Sequence, residues 1–150
     1  MNKKEILSRK DSFQEWLFVM DDILEEFIRD FYDQNDLMLD YCPNSLLILE
    51  KNILNTFANI EELKKEEHKQ KYDALSRYLG ETVRKNVGGK WKLDIENEKS
   101  AYYKLPVLIE DSETPTPICP HKLITACIGR RKGDFLFTVI NNLIKNKEVV

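Results

Sequence analysis

The chain has 150 residues, of which 42% are hydrophobic and 33% charged, with five glycines and five prolines. These values are typical of a globular domain with its own hydrophobic core, and they exclude low-complexity disorder. We therefore predict one α+β domain over residues 1–150, in which residues 1–10 are flexible or form a short helical lead-in.

The charge is distributed unevenly. Residues 1–75 carry 10 basic and 17 acidic side chains, whereas residues 76–150 carry 13 basic and 9 acidic ones. An acidic chain, with a net charge of −3, is a poor electrostatic match for nucleic acid, so we expect no such partner. The three irregularly spaced cysteines and the lack of a signal-peptide pattern or a long apolar run favour a cytoplasmic protein that does not enter the membrane.

The first helical pattern covers residues 12–32. Apolar side chains recur every three or four positions from Phe13 to Phe31, which is the spacing of an amphipathic helix. Ser12 and Glu15 have the spacing of a capping box, in which each side chain binds the other residue's backbone N–H. This spacing predicts that the helix begins at Ser12.

Two further amphipathic helices are predicted before the sheet. The second has its apolar side over residues 46–57. The third follows a mixed-charge segment and runs through Tyr72 and Val83. It ends at Gly88 and Gly89, because glycine readily adopts the positive φ angles that helix ends favour.

The periodicity then changes from helical to alternating. Trp91, Leu93 and Ile95 alternate with charged residues, which predicts a strand with one buried face. Residues 101–109 are predicted as the return strand of a hairpin, and Pro106 within them indicates an edge strand or a bulge.

The rest of the chain completes the predicted fold. Residues 110–117 are acidic and proline-rich, which is typical of a loop, and Pro120 is placed to open a short helix. A last amphipathic helix follows Gly133. The fold that we predict is α+β, with three N-terminal amphipathic helices, a small antiparallel β-hairpin sheet and a C-terminal helix.

The junction between the third helix and the hairpin contains four residues with predicted structural roles: Tyr78, Gly80, Glu81 and Trp91. Glycine inside a helix costs about 1 kcal/mol relative to alanine, so Gly80 predicts a close approach, most simply by another backbone. We expect Glu81 to accept N–H groups from the hairpin or to pair with Arg84 or Lys85, and Trp91 to fill the core. Each of these two residues also has a functional alternative. Glu81 could act as a general base, and the Trp91 ring could form a surface on which a ligand stacks.

Cys119, His121 and Cys127 are residue types that bind Zn²⁺, but their spacing is not that of a zinc site. We therefore expect no metal, and no motif indicates a cofactor or catalytic residues. Residues 130–133, Arg-Arg-Lys-Gly, precede the last helix and could hold a phosphate, although an exposed turn is the simpler interpretation.

The most concentrated charge lies in and after the first helix. It consists of the carboxylates of Asp21, Asp22, Glu25, Glu26, Asp30, Asp33 and Asp36, and Asp40 follows them. Such a set is either the solvated side of an amphipathic helix or a docking surface for a basic protein, in which charge complementarity increases the association rate and specificity.

Several segments together resemble a family of small bacterial proteins of unknown function, over roughly residues 38–145. They are Leu39-Asp40-Tyr41, Pro43, Ser45-Leu46, Leu49-Glu50, Tyr78-Leu79-Gly80-Glu81, Gly89, Trp91, Cys119-Pro120, Lys122-Leu123 and Gly133. The most specific part is "YLGE" followed by tryptophan. The resemblance implies a cytosolic α+β domain. Some similar proteins are encoded beside toxins as immunity proteins, which suggests that role.

Two functions of different classes follow from these observations. The first is a non-enzymatic interaction module that binds a basic protein through the acidic residues, and an immunity-type inhibitor is one form of it. The alternative is a small ligand-binding or metal-binding protein or enzyme, with Glu81, Trp91, Cys119 and His121 around one pocket. A purely structural subunit is a third interpretation, and it predicts a stable oligomer.

Overall fold

The computed structural model describes residues 2–95, 97–110 and 115–148, so part of the predicted acidic loop lies outside the described residues. The fold is α+β, as predicted. The described elements are α1 (Lys3–Phe18), α2 (Met20–Asn35), α3 (Ser45–Thr56), α4 (Ile60–Leu63), a 3₁₀ turn (Glu66–His68), α5 (Lys69–Asn86), β1 (Lys90–Leu93), β2 (Pro106–Ile109), α6 (Pro120–Arg130) and α7 (Phe135–Glu148).

The predicted first helix is in fact two helices, α1 and α2, separated at Val19. The prediction that it begins at Ser12 was wrong, because Ser12 lies inside α1. The helix begins nine residues earlier, after Asn2, whose side-chain oxygen accepts a hydrogen bond from the N–H of Glu5 at 2.8 Å. Asparagine is a preferred capping residue, and it has the same spacing to a glutamate as Ser12 does.

The break at Val19 has a tertiary cause. The buried guanidinium of Arg77, from α5, donates a hydrogen bond from Nη1 to the carbonyl oxygen of Trp16 at 2.7 Å. In an uninterrupted helix this carbonyl accepts the N–H of Met20. Arg77 therefore gives the last turn of α1 an alternative partner at the point where α1 ends and α2 begins.

The sheet is the predicted antiparallel hairpin of β1 and β2, in which Leu93 pairs with Pro106. The return strand is shorter than predicted, since residues 101–104 form turns and Lys104 has a left-handed φ of 68°. A lysine in that conformation cannot continue an extended strand. Pro106 is the first residue of β2, where a missing N–H is tolerated.

Helix α5 lies at the centre of the molecule. Its ten consecutive residues from Ala74 to Val83 are all buried. Helices α2 and α6 and strand β2 pack around it, and one hydrophobic cluster joins the core residues of these elements to those of α3 and α7. The apolar periodicity predicted that only one side of α5 would be buried. The side that carries its polar residues is also buried, because neighbouring elements pack against it.

The N-terminus of α7 is capped by a residue of another helix. Glu50, on α3, is fully buried, and its two carboxylate oxygens accept the N–H groups of Phe135 at 3.1 Å and Leu136 at 2.8 Å. The first N–H groups of a helix have no partner within it, and the positive end of the helix dipole favours a carboxylate. Glu50 thus fixes α7 against α3.

Three positively charged side chains bind backbone carbonyl groups at helix C-termini. Arg77 binds a carbonyl in the last turn of α1, Arg131 binds three carbonyls at the end of α3, and Lys147 binds the carbonyl that follows α5. The negative end of the helix dipole favours a positive charge at each place. Arg131 is exposed at the C-terminal end of α6, which agrees with the exposed-turn alternative of the prediction, and its guanidinium also connects α6 to α3.

We expect Glu50→Ala to reduce the free energy of unfolding by about 2–4 kcal/mol, because two buried N–H groups would lose a charged acceptor. Urea unfolding followed by circular dichroism measures this loss. Glu61→Ala, at an exposed carboxylate, is the matched control and should change stability by less than about 0.5 kcal/mol. Equal stability of the two variants would contradict the capping role of Glu50.

Candidate functional site

The seven carboxylates of the predicted docking surface are all exposed, and we call this set the acidic face. Its members are Asp21, Asp22, Glu25, Glu26, Asp30, Asp33 and Asp36. Six lie on α2 and Asp36 follows its last residue. Within residues 2–95, 97–110 and 115–148, none of these carboxylates forms an ion pair, although Arg29 lies among them. The acidic face is therefore available to a partner.

The charges of the acidic face act on α2 in opposite directions. Asp21 and Asp22 lie in its first turn, where the positive end of the helix dipole favours carboxylates. Asp22 and Glu26, and Glu26 and Asp30, are like charges four residues apart, and each such pair destabilises a helix by about 0.2–0.5 kcal/mol. Asp33 and Asp36 lie at the C-terminus, where the helix dipole disfavours negative charge. The like-charge pairs and the two carboxylates at the C-terminus therefore oppose the favourable effect of Asp21 and Asp22.

A groove of about 840 Å³ lies beside the acidic face, between α2 and the first turns of α5. Its apolar lining residues are Trp16, Ile23, Phe27, Phe31 and Ala74. The α2 side contributes two carboxylates of the acidic face, Glu26 and Asp30, together with Gln34. The opposite side contributes Lys69 and Gln70. The groove thus combines an apolar floor with walls of different charge.

The tryptophan of this groove is held in place by a network around Arg77. The indole Nε1 of Trp16 donates a hydrogen bond to Asp73 at 2.8 Å, and the guanidinium of Arg77 lies 4.2 Å from the centre of the Trp16 ring. Arg77 also donates from Nε to the second oxygen of Asp73 at 2.6 Å. Because these contacts fix the ring, a ligand in the groove would not have to order it.

The glycine of the junction is in close contact with a side chain and not with another backbone. The indole of Trp91 lies over Gly80, and a Cβ built on that glycine would be 2.0 Å from Cη2 of Trp91. The Trp91 ring also meets the edge of Trp16, with ring centres 5.0 Å apart. Tyr78 is fully buried, and its hydroxyl accepts the N–H of Tyr41 at 2.9 Å.

Glu81 is buried next to this contact and pairs with the neighbouring turn of α5. Its carboxylate accepts a hydrogen bond from Nε of Arg84 at 2.6 Å. This is one of the two arrangements that the sequence predicts for Glu81. In the part of the chain that the structure describes, the carboxylate has no hydrogen bond from the backbone of the hairpin.

The residues of the predicted alternative pocket occupy different environments. His121 lines a second cleft, of about 480 Å³, with Tyr72 and Lys122, and neither Glu81 nor Trp91 belongs to that lining. The hydroxyl of Tyr72 donates to the carbonyl oxygen of His121 at 2.9 Å. The cleft therefore presents lysine, tyrosine and imidazole groups together with the carboxylate of Glu66, and not the carboxylate of Glu81 that the predicted pocket includes.

The two cysteines near His121 are buried thiols. Burial raises the pKa of Cys119 and of Cys127, and the carboxylate of Glu50 raises that of Cys127 further, so both thiols are protonated at neutral pH. Among the described residues, three metal-ligating side chains come together at Glu62, Glu67 and His68, on the surface and away from these thiols.

The apolar pattern of the sequence does not predict the groove, because Trp16 and Phe27 belong to the apolar side of the first predicted helix and that pattern does not distinguish a groove from the core. Both are only half-buried, and they pack against the core with one side while the other lines the groove. The spacing of Asp73 and Arg77, four residues apart on a helix, was the available signal for an ion pair beside them. Nothing local indicated that Trp16 would lie against that pair.

Comparison of the chain with protein-family models, with curated proteins and with solved structures finds no match. In the described ranges, no helix has the combined length and apolar character needed to cross a membrane. The proposals below therefore depend on the geometry and electrostatics of this chain.

We expect Gly80→Ala to destabilise the fold by about 1–3 kcal/mol, because the new methyl group would displace the Trp91 ring. Gly129→Ala is the matched control. Its Cβ would have its nearest contact at 3.7 Å, so it should be neutral or stabilising by up to about 1 kcal/mol. Urea unfolding measures both variants. A Gly80→Ala protein as stable as the wild type would contradict the close contact.

The stability of the fold should decrease as the pH falls below about 6.5, the ordinary pKa of histidine. Burial lowers the pKa of His121, with Arg77 acting in the same direction and Asp73 opposing. The unfolded chain therefore takes up a proton before the folded one, and the stabilisation, complete above about 6.5, is lost at lower pH.

Urea unfolding between about pH 7.5 and 5 tests this dependence. We expect His121→Gln to flatten the decrease. Identical slopes for wild type and His121→Gln would show that His121 does not contribute.

Proposed function

We propose that this chain is a non-enzymatic protein-interaction module that binds a basic protein through the acidic face. The observation that carries the proposal is the set of seven exposed carboxylates without an ion pair in the described residues. Like-charge pairs among them, Asp22 with Glu26 and Glu26 with Asp30, oppose the folding of α2. A basic partner would relieve that repulsion on binding.

The resemblance to the "YLGE…W" proteins suggests a particular form of this function, an immunity-type inhibitor. Such an inhibitor must find its target quickly at low concentration. A concentrated negative surface increases the association rate with a positive target by long-range attraction, and this increase falls as salt is added. The acidic face is suited to that task because its charges are concentrated on one helix.

The first step of the test is to identify the partner. The purified chain captures proteins from a lysate of the cells that make it, and mass spectrometry identifies candidates. The leading candidate is then produced in pure form. Only the affinity measured by calorimetry between the two purified proteins counts, at low and at high salt.

We expect the variant Asp22→Lys, Glu26→Lys, Asp30→Lys to bind this partner at least about 100-fold more weakly, because three attractive contacts become repulsive. The control variant, Glu15→Lys, Glu61→Lys, Glu110→Lys, makes the same change in net charge at exposed carboxylates on other elements. It should bind within about threefold of wild type at physiological salt, where charges far apart are screened.

Two results would contradict the proposal. One is equal loss of affinity in both variants, which would indicate a net-charge effect without a defined surface. The other is unchanged binding of the reversed acidic face. A thermal unfolding curve for each variant separates binding from folding, and we expect both variants to unfold cooperatively.

A further inference from the structure

We propose that the groove beside the acidic face receives an amphipathic helix of the partner, with a basic edge against α2 and an edge without basic residues against α5. This inference rests on the proposed function and specifies the chemistry of the partner. Docking a helix in a groove is a common recognition mode, in which apolar residues on one side of the helix enter the groove.

The apolar floor has the dimensions of a short helix. Ile23, Phe27 and Phe31 succeed one another at intervals of four residues along α2, and all three line the groove. They therefore extend over about 12 Å, at 1.5 Å per residue. Three apolar side chains on successive turns of a partner helix span a similar length, so the two rows can face each other.

The two walls of the groove differ in charge, so each wall favours a different kind of residue on the edge of the partner helix that faces it. Glu26 and Asp30 form the α2 wall, and neither has an ion-pair partner in the described part of the chain. The opposite wall is the start of α5, with the exposed cation Lys69 and the positive end of the helix dipole. Basic residues are therefore attracted to one wall and repelled by the other.

Lys71 and Asp73 also border the groove, but both are engaged elsewhere. The ammonium group of Lys71 lies 5.9 Å from the centre of the Phe57 ring, and burial lowers its pKa. The Asp73 carboxylate binds Trp16 and Arg77. The charges available to an occupant are thus those of Glu26, Asp30 and Lys69.

Three synthetic helical peptides of equal length test the proposal. All carry leucine at three successive turns on one side. In the first peptide, one flanking edge is arginine and the other glutamine; in the second, both edges are arginine; in the third, both are glutamine. A peptide helix can lie in the groove in either direction, and reversing it exchanges the walls that its two edges face. Two peptides that differ only by an exchange of edges could therefore bind equally well, so the set varies the number of arginine edges instead. Fluorescence anisotropy of labelled peptide measures binding.

We expect the first peptide to bind at least about tenfold more tightly than the third, and the second to gain nothing over the first. Ile23→Gln should weaken binding of the first peptide about tenfold, since one apolar contact is lost. Ile23 is half-buried in the groove and outside the core packing, so this variant should fold. Leu7→Gln, at an exposed position on α1, is the control.

Several results would overturn the groove proposal. They are the absence of saturable binding by the first peptide, equal binding of the first and third, tighter binding of the second than of the first, and no effect of Ile23→Gln. Self-association of the chain through the groove, detected by sedimentation and removed by Ile23→Gln, would assign it to a second copy. The two proposals can fail separately. If any of these results occurs but the variant Asp22→Lys, Glu26→Lys, Asp30→Lys no longer binds the natural partner, the proposed function stands while the groove proposal fails.

Discussion

The burial of residues 74–83 of α5 on every side is the constraint on which the rest of the structure depends. Large polar side chains in such a segment need hydrogen-bond partners, since a buried polar group without a partner is destabilising. Arg77 meets this requirement by binding Asp73, the end of α1 and the ring of Trp16. Tyr78 meets it through the backbone of Tyr41. The positions of α1 and of the segment after α2 therefore follow from the polar residues of α5.

The same requirement explains how the outer helices are joined. Helix ends leave backbone groups without partners, and here charged side chains from distant parts of the chain bind them, with a carboxylate at an N-terminus and cations at C-termini. Glu50, Arg131 and Lys147 thereby fix which helices are neighbours. The acidic face is the exception, because its charges have no such role in the described residues, and this difference separates it from the structural charges.

Local periodicity predicted most of the helices and the hairpin, because the apolar side of an amphipathic element is determined by nearby residues. It did not predict two features that depend on distant residues. The break at Val19 involves a hydrogen bond between Arg77 and Trp16, which are 61 residues apart. The cap from Glu50 binds Phe135, which is 85 residues away. The exposure of the acidic face follows from the same periodicity. The groove could not be predicted, since residues of α1, α2 and α5 that are far apart in the chain line it together.

The central claim is that α2 and the start of α5 form the surface that a partner covers. Hydrogen–deuterium exchange of the chain, alone and in complex with its purified natural partner, tests that claim directly because it maps the contact without any substitution. The account predicts slower exchange in residues 20–36 and 69–74 and little change in α6 and α7. Slower exchange confined to α6 and α7, with residues 20–36 unaffected, would contradict it.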